Sequence, residues 1–517
     1  MEYLSLNGQS GVADFKVSTT IKDSLALVML DNNEKRLKVA KSNSTNTEVL
    51  DYLNYFKQRW PEVKIIPCET SEIIELAKKS NDSNIDQSDI QKQVVEIVQF
   101  AVAQRASDIH IRMGEKFTRI YFRIDGRLRF FEEYRGELAK LYISALYQTM
   151  CEGGSSTTFN YSIPLDAKVK ETFVSALGLS GGRFSSRPKN ELVIVVIRLL
   201  KKRDRALSLI ELGMEDNQRH IIERVISKSS GVVFMSGPTN SGKSTLAQSM
   251  CETVTSSDSG IHLITVEDPI ENTIRDAVQT PLMIADRSDP KKLEKAWGDA
   301  ITNLLRLDPD QIFIGEVRDN TSATGAITAA LTGHKVFTTI HTNFPIDIIA
   351  RLKNLGVESD LIADSSLIIC LIGQRLAPLL CHKCKLPYSE NKKSVTAVYQ
   401  ELIEEHCNAK SVFIENVKGC EHCNHTGLKG MKGVFEIIET DAEFMHVYHE
   451  MGKTKAYEYW YKNGGVTLCS NTISLINCGE IDPVYAHSHV CNIDRDSLVF
   501  TQSARASVLG KVYEHVE

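Results

Sequence analysis

A helix that spans a bilayer needs about eighteen consecutive apolar residues, and no stretch of this 517-residue chain comes near that length. The longest candidate, "ELVIVVIRLL", is only as long as a strand and carries Arg198. The amino terminus, "MEYLSLNGQSGVADF", lacks a basic flank followed by an apolar core, which predicts no signal peptide. An excess of positive charge is also missing. The formal net charge is −6, which argues against a general nucleic-acid binder. Internal repeats and low-complexity tracts are absent as well. Of twelve cysteines, four form two C-x-x-C pairs and the rest are scattered, a pattern that fits a disulfide framework poorly. That usage fits thiols kept reduced around one metal site, and so predicts a cytoplasmic protein.

What is present is ordinary globular material, with 42% hydrophobic and 24% charged residues. The chain is too long for one compact core, which implies several domains. Residues 1–77 read as a small mixed domain with no chemical motif. The polar stretch "KKSNDSNIDQSDIQ" reads as a linker over 78–91. In residues 92–205, "VVEIVQFAVAQRASD" has apolar residues at helical spacing. There "FTRIYFRIDGRLRFF" alternates around an Asp-Gly turn as a β-hairpin, and "GGRFSSRP" with "ELVIVVIRLL" adds two strands. This predicts an α+β domain. In residues 206–370 short apolar strands alternate with helical patterns, the signature of a parallel α/β sheet. Residues 371–440 hold the cysteine pairs, and 441–517 read as helical.

Between the apolar strand "GVVFMS" and the helical "TLAQSMCETV" lies Gly237-Pro238-Thr239-Asn240-Ser241-Gly242-Lys243-Ser244, followed by Thr245. This is G-x-x-x-x-G-K-[ST] in the strand-to-helix setting its mechanism requires. The glycines let backbone N–H groups turn inward around phosphate oxygens, and the helix N-terminus adds a favourable dipole. Lys243 is placed to neutralise β- and γ-phosphates, and Ser244 to hold Mg²⁺. Phosphoryl transfer also needs a carboxylate near the γ-phosphate to orient water. In "DPDQIFIGEVRD" the apolar run stops at Gly315-Glu316, where a pair of acids is usual. Glu316 is the best-placed carboxylate, and Gly315 is expected to leave room for a metal's water shell. The strand in "LITVEDPIE" ends in Glu267, Asp268 and Glu271. "TGHKVFTTIHTN" is another strand, flanked by His334 and His341.

The order "GPTNSGKST", "ITVEDPIE", "LRLDPDQIFIGEVRD", "TGHKVFTTIHT" resembles the secretion ATPases of type II secretion and type IV pilus assembly. That family carries a Walker A box, an Asp box, a Walker B box ending in Gly-Glu, and a His box. The resemblance covers residues 92 to about 440. It implies a RecA-like ATPase core behind a PAS-like second amino-terminal domain, with ATP and Mg²⁺ as ligands. By the same resemblance Glu316 is the catalytic glutamate, while Glu267 and Asp268 lie near the metal or attacking water. His334 and His341 sense nucleotide state, and Arg183 and Arg198 reach toward the γ-phosphate, with Arg187 a nearby substitute.

Cys381 and Cys384 in "CHKC", with Cys420 and Cys423 in "CEHC", can close a tetrahedral, structural Zn²⁺ site. His382, His422 and His425 read as bystanders. The resemblance supports zinc, because assembly and secretion members carry such pairs. It further implies a homohexamer on the inner face of the inner membrane. That hexamer docks on a platform protein and drives pilin or pseudopilin subunits into a fibre, without nucleic acid. The alternative class is a RecA-like nucleic-acid translocase or conjugation ATPase, which predicts a basic channel that the net charge disfavours.

Overall fold

The computed structural model describes residues 3–4, 25–29, 35–46, 49–50, 53, 57, 63–73, 87–152, 158–189, 192–202, 205–257, 260–284 and 289–505. Most of the expected 78–91 linker, much of the 1–77 segment and the tail beyond residue 505 lie outside these residues. The chain divides into two compact units, Met1–Leu199 and Leu200–Glu517.

In the first unit, β1 (Tyr3–Leu4), β2 (Leu25–Met29), β3 (Lys35–Ala40) and β4 (Lys64–Cys68) form a four-stranded sheet in that order. The helix α1 (Gln87–Ala103) follows, then β5 (Asp108–Met113), β6 (Phe117–Ile124) and β7 (Arg127–Arg135). Next come α2 (Gly136–Met150), β8 (Cys151–Glu152), β9 (Leu165–Val169), β10 (Leu179–Lys189) and β11 (Leu192–Lys201). Strands β5 to β11 make a seven-stranded sheet ordered β7-β6-β5-β11-β10-β9-β8. The β6–β7 hairpin turns at Asp125 (φ 45°) and Gly126 (φ 79°). Two successive left-handed residues give the turn whose twist matches paired strands, which is why Asp-Gly stands there. Val94, Val98 and Ala101 of α1 join Ile143, Leu146 and Met150 of α2 in one core with the inward residues of the sheet.

The second unit is built on a seven-stranded sheet. Its strands are β12 (Gly231–Ser236), β13 (Leu263–Glu267), β14 (Ala277–Pro281), β15 (Gln311–Val317), β16 (Lys335–Ile340), β17 (Ile368–Leu380) and β20 (Leu428–Glu439). Their order is β14-β13-β15-β16-β12-β17-β20, parallel except for the last pair. Every residue of β12, β13 and β16 is buried. A parallel sheet covered on both faces demands such unbroken apolar runs. Side chains alternate between the faces. Val232, Phe234, Ile312 and Ile314 pack into one core with Trp297 and Ile301 of α5 (Pro290–Leu304) and Ala326 and Ile327 of α6 (Asn320–Leu331). Val233, Met235, Phe313 and Phe337 pack into another with Ile222 and Val225 of α3 (Asp216–Ser227) and Leu246 and Met250 of α4 (Lys243–Ser257).

The paired strands β17 and β20, the second of them at the sheet's edge, flank the segment that carries the cysteine pairs. Between them lie the short strands β18 (Leu386–Pro387) and β19 (Phe413–Ile414), which pair with each other. Five helices lie between Ala442 and Val499, and a further helical turn covers 502–505. Among the described residues, no helix is long and apolar enough to cross a membrane.

Candidate nucleotide site

Parallel order places the carboxyl ends of β13, β15, β16 and β12 along one edge of the sheet, where ligands of such sheets sit. The phosphate loop leaves β12 there. Its tip, Pro238, Thr239 and Asn240, is exposed, while Ser241 is buried and Gly242 to Thr245 are half-buried. Asn240 is left-handed (φ 65°), as are Gly237 (φ 151°) and Gly242 (φ 92°). A Cβ on Gly237 would stand 2.5 Å from the carbonyl of Gln374, and one on Gly242 2.8 Å from its Nε2. Conformation therefore favours glycine at both positions, and at Gly237 the neighbouring backbone leaves no space for a side chain as well.

Lys243, the first residue of α4, folds its ammonium back into the loop. Nζ donates to the carbonyls of Gly237 (2.7 Å) and Pro238 (3.0 Å). Burial lowers its pKa to about 8 and Arg375 adds to that fall, while Glu316 and Glu271 oppose it. Lys243, Glu316, Glu271 and Arg375 thus share one electrostatic neighbourhood. The glycine cradle and this ammonium fit a polyphosphate, and Ser244 beside them is the residue that would hold Mg²⁺.

Glu316 lies near the carboxyl end of β15. One carboxylate oxygen is 3.0 Å from Nε2 of His341, and the other is 2.6 Å from a guanidinium nitrogen of Arg318. Each carboxylate oxygen thus has one nitrogen neighbour. In return, donating to Glu316 raises the pKa of Arg318 despite partial burial. Gly315 serves strand packing here. A Cβ at this position would lie 3.2 Å from Cα of Glu267 and from the carbonyl oxygen of Val266, both on the adjacent β13. A side chain at position 315 would make β13 give way by a few tenths of an ångström, so Gly315 serves the close approach of the two strands rather than open space for a water shell.

Glu267 ends β13 and is buried. It accepts hydrogen bonds from Thr265 Oγ1 and Gln279 Nε2, each at 2.8 Å. Burial raises its pKa, against those two bonds. The negative charge of Asp268 reaches Arg318.

Of the two His-box histidines, only His341 is brought to this edge. His334 precedes β16 and is bound at the other end, Nδ1 lying 3.0 Å from the carbonyl of Ala329 and 3.1 Å from Thr332 Oγ1. Six strand residues separate the two histidines. At about 3.3 Å per residue this puts them roughly 20 Å apart, so within one chain His334 does not belong to the Glu316 cluster.

Arg183 and Arg198 belong to the first unit, on β10 and β11. Nε of Arg198 lies 3.3 Å from Asp108, and Arg183 lies 3.8 Å from Asp166. Arg183 and Arg187 are exposed. Several residues around the site were not singled out from sequence: Arg318, Gln279, Gln374 and Arg375. Arg318 stands just past the end of β15, two residues after Glu316.

The four expected cysteines form a second cluster. Their sulfurs all lie within 4.8 Å of one another, with Cys381–Cys420 at 3.8 Å, Cys384–Cys423 at 3.9 Å and Cys420–Cys423 at 3.8 Å. Four thiolates around Zn²⁺ at about 2.3 Å would stand about 3.8 Å apart, so the donor set fits that ion. Burial pushes the Cys423 thiol up. N–H bonds from Cys420 and Gly427, with contacts to Cys420 and Cys384, outweigh that and bring it to about 6.

A parallel sheet with a glycine cradle opening on a helix at its carboxyl edge defines a P-loop α/β protein. The family model described as "Type II/IV secretion system protein" matches residues 83–487, and the chain belongs to that family of secretion ATPases. The chain is 33% identical over 362 residues to "Type II secretion system protein E" of Aeromonas hydrophila, covering 69% of this chain and 67% of that protein. It is 32% identical to "Type II secretion system ATPase E" of Vibrio cholerae, again covering 69% of this chain and 67% of that protein. The chain thus matches about two thirds of these relatives' length. In fold it is similar to the ATPase DotB of Yersinia pseudotuberculosis, with a TM-score of 0.52 and 20% identity over 78% of this chain and 92% of that one.

Proposed function

We propose that this chain is an ATP-hydrolysing motor subunit of a secretion or pilus-assembly machine. It would work as a ring, a homohexamer, on the cytoplasmic face of the inner membrane against a platform protein. The observation that carries the reading is Glu316, held between His341 (3.0 Å) and Arg318 (2.6 Å) at the sheet edge that also bears the phosphate loop. A carboxylate with both oxygens oriented can align an attacking water, and the cradle with Lys243 positions the phosphates. ATP is the substrate, and Ser244 would hold Mg²⁺, which supplies charge neutralisation to the phosphates. His341 links Glu316 to the chain that follows β16, so a change at the phosphates can be passed on to the fold. Glu267 and Asp268 complete the acidic edge. Arg183 and Arg198 would be delivered to a nucleotide from the first unit, and His334 is open to a role outside the single-chain site. Cys381, Cys384, Cys420 and Cys423 would hold a structural Zn²⁺ that fixes the insert between β17 and β20.

Rotation of domains driven by hydrolysis becomes work only when repeated around a closed ring. The solution mass of Glu316→Gln protein, with and without ATP and Mg²⁺, tests this directly. The reading predicts six-subunit particles that form or tighten with ATP. Protein that stays a single chain with ATP bound, at every concentration, would remove the ring from the account.

A further inference from the structure

The strand β17 runs on past the end of β12. Register pairs Ser236 with Gly373, so Gln374 and Arg375 continue beside the phosphate loop. Gln374 takes up the space beside both loop glycines, as described above. Its side chain is buried, and its Oε1 makes no hydrogen bond.

Arg375 is the more unusual residue. It is 8% exposed, and among the described residues no carboxylate lies in direct contact with its guanidinium, though the charge of Glu436 reaches it. Its guanidinium donates to two backbone carbonyls: that of Gln374 at 3.1 Å, and that of Asn343. Burial lowers the pKa of Arg375, Arg495 adds to that fall, and the more distant charge of Glu436 opposes it, so the two carbonyls are its direct partners. Asn343 lies two residues beyond His341 in the chain that leaves β16. The same chain is pressed against β17 at Pro345, whose Cδ lies 2.5 Å from where a Cβ on Gly373 would stand. Arg495 covers the next side chain, its guanidinium 3.9 Å from the ring centre of Phe344. The field of Arg375 also reaches Lys243.

We propose that Arg375 is a positioning residue for hydrolysis: by fixing the backbone at Asn343 it holds the His341 imidazole against Glu316. This rests on the reading of Glu316 as the catalytic carboxylate. The guanidinium ties the strand beside the phosphate loop to the segment that carries the Glu316 partner. Displacement of a catalytic partner by about 1 Å can cost about a hundredfold in rate. Loss of the tie should therefore lower kcat and leave ATP binding at the loop nearly intact.

The test uses Arg375→Met and Arg375→Lys in the full chain, alone and combined with His341→Ala. Steady-state ATP hydrolysis, thermal melting and binding of a fluorescent ATP analogue are measured for each. Arg375→Met should lose about tenfold or more in kcat, with KM within about threefold of wild type. Arg375→Lys should restore part of that loss. In the His341→Ala background the same Met substitution should cost less than about twofold, because the residue acts through His341. Unchanged kcat, or an equal loss in the His341→Ala background, would overturn the proposal. If the Met variant does not fold, Arg375→Lys decides on the same two criteria. Wild-type rates in Glu316→Gln would instead sink the underlying reading, whatever the Arg375 variants do.

Discussion

Lys243 and Glu316 show how a residue's surroundings set its chemistry. Burial brings the lysine to a pKa of about 8, and Arg375 acts in the same direction against the two nearby carboxylates. A lowered lysine pKa means the ammonium is lost earlier as pH rises. For the free protein, kcat/KM for ATP should therefore be level below about pH 7 and fall as pH rises through about 8. A profile level to pH 10 or beyond would show that Lys243 does not carry the phosphate contact. Glu316 was legible from sequence because a buried strand had to end somewhere near the phosphate loop. Arg318, Gln374 and Arg375 were not, because their positions depend on which strands the fold places side by side.

Between elements, the informative contact is β13 against β15. Gly315 is needed because the backbone of Glu267 lies where its side chain would point. Gly315→Ala should force the strands apart at a cost of about 1–3 kcal/mol and shift Glu316 with them. Melting temperature and kcat should fall together, and an unaltered melting temperature would show that the strands have slack. The parallel strands were legible as unbroken apolar runs because both faces are covered, and the β6–β7 hairpin because Asp-Gly suits its turn. The roles of the two histidines were less so. Both belong to one sequence box, yet a strand between them carries His334 to the far end of the sheet. The tetracysteine cluster also belongs at this scale, since it joins the ends of β17 and β20. Cys381→Ser should reduce bound zinc from about one per chain to near zero and lower the melting temperature of the second unit. Purified wild-type protein without zinc would exclude the site.

For the molecule as a whole, nucleotide chemistry is concentrated in the second unit, and the arginines Arg183 and Arg198 in the first. The proposed motor would use that separation, because a charge on another body can be delivered and withdrawn. The proposed ring and its proposed membrane partner rest on the family resemblance and not on any residue pattern in the sequence. Both depend on surfaces whose partners lie outside the chain. The family and the parallel core were legible because four boxes follow one another in order along the strands.

The central claim is that Glu316 drives ATP hydrolysis in this chain. Its most direct test is single-turnover hydrolysis of bound ATP with Mg²⁺ by wild-type and Glu316→Gln protein, alongside nucleotide affinity. The account predicts that both bind ATP comparably, and that the glutamine variant hydrolyses it about a hundredfold or more slowly. Equal hydrolysis by the two proteins would contradict it.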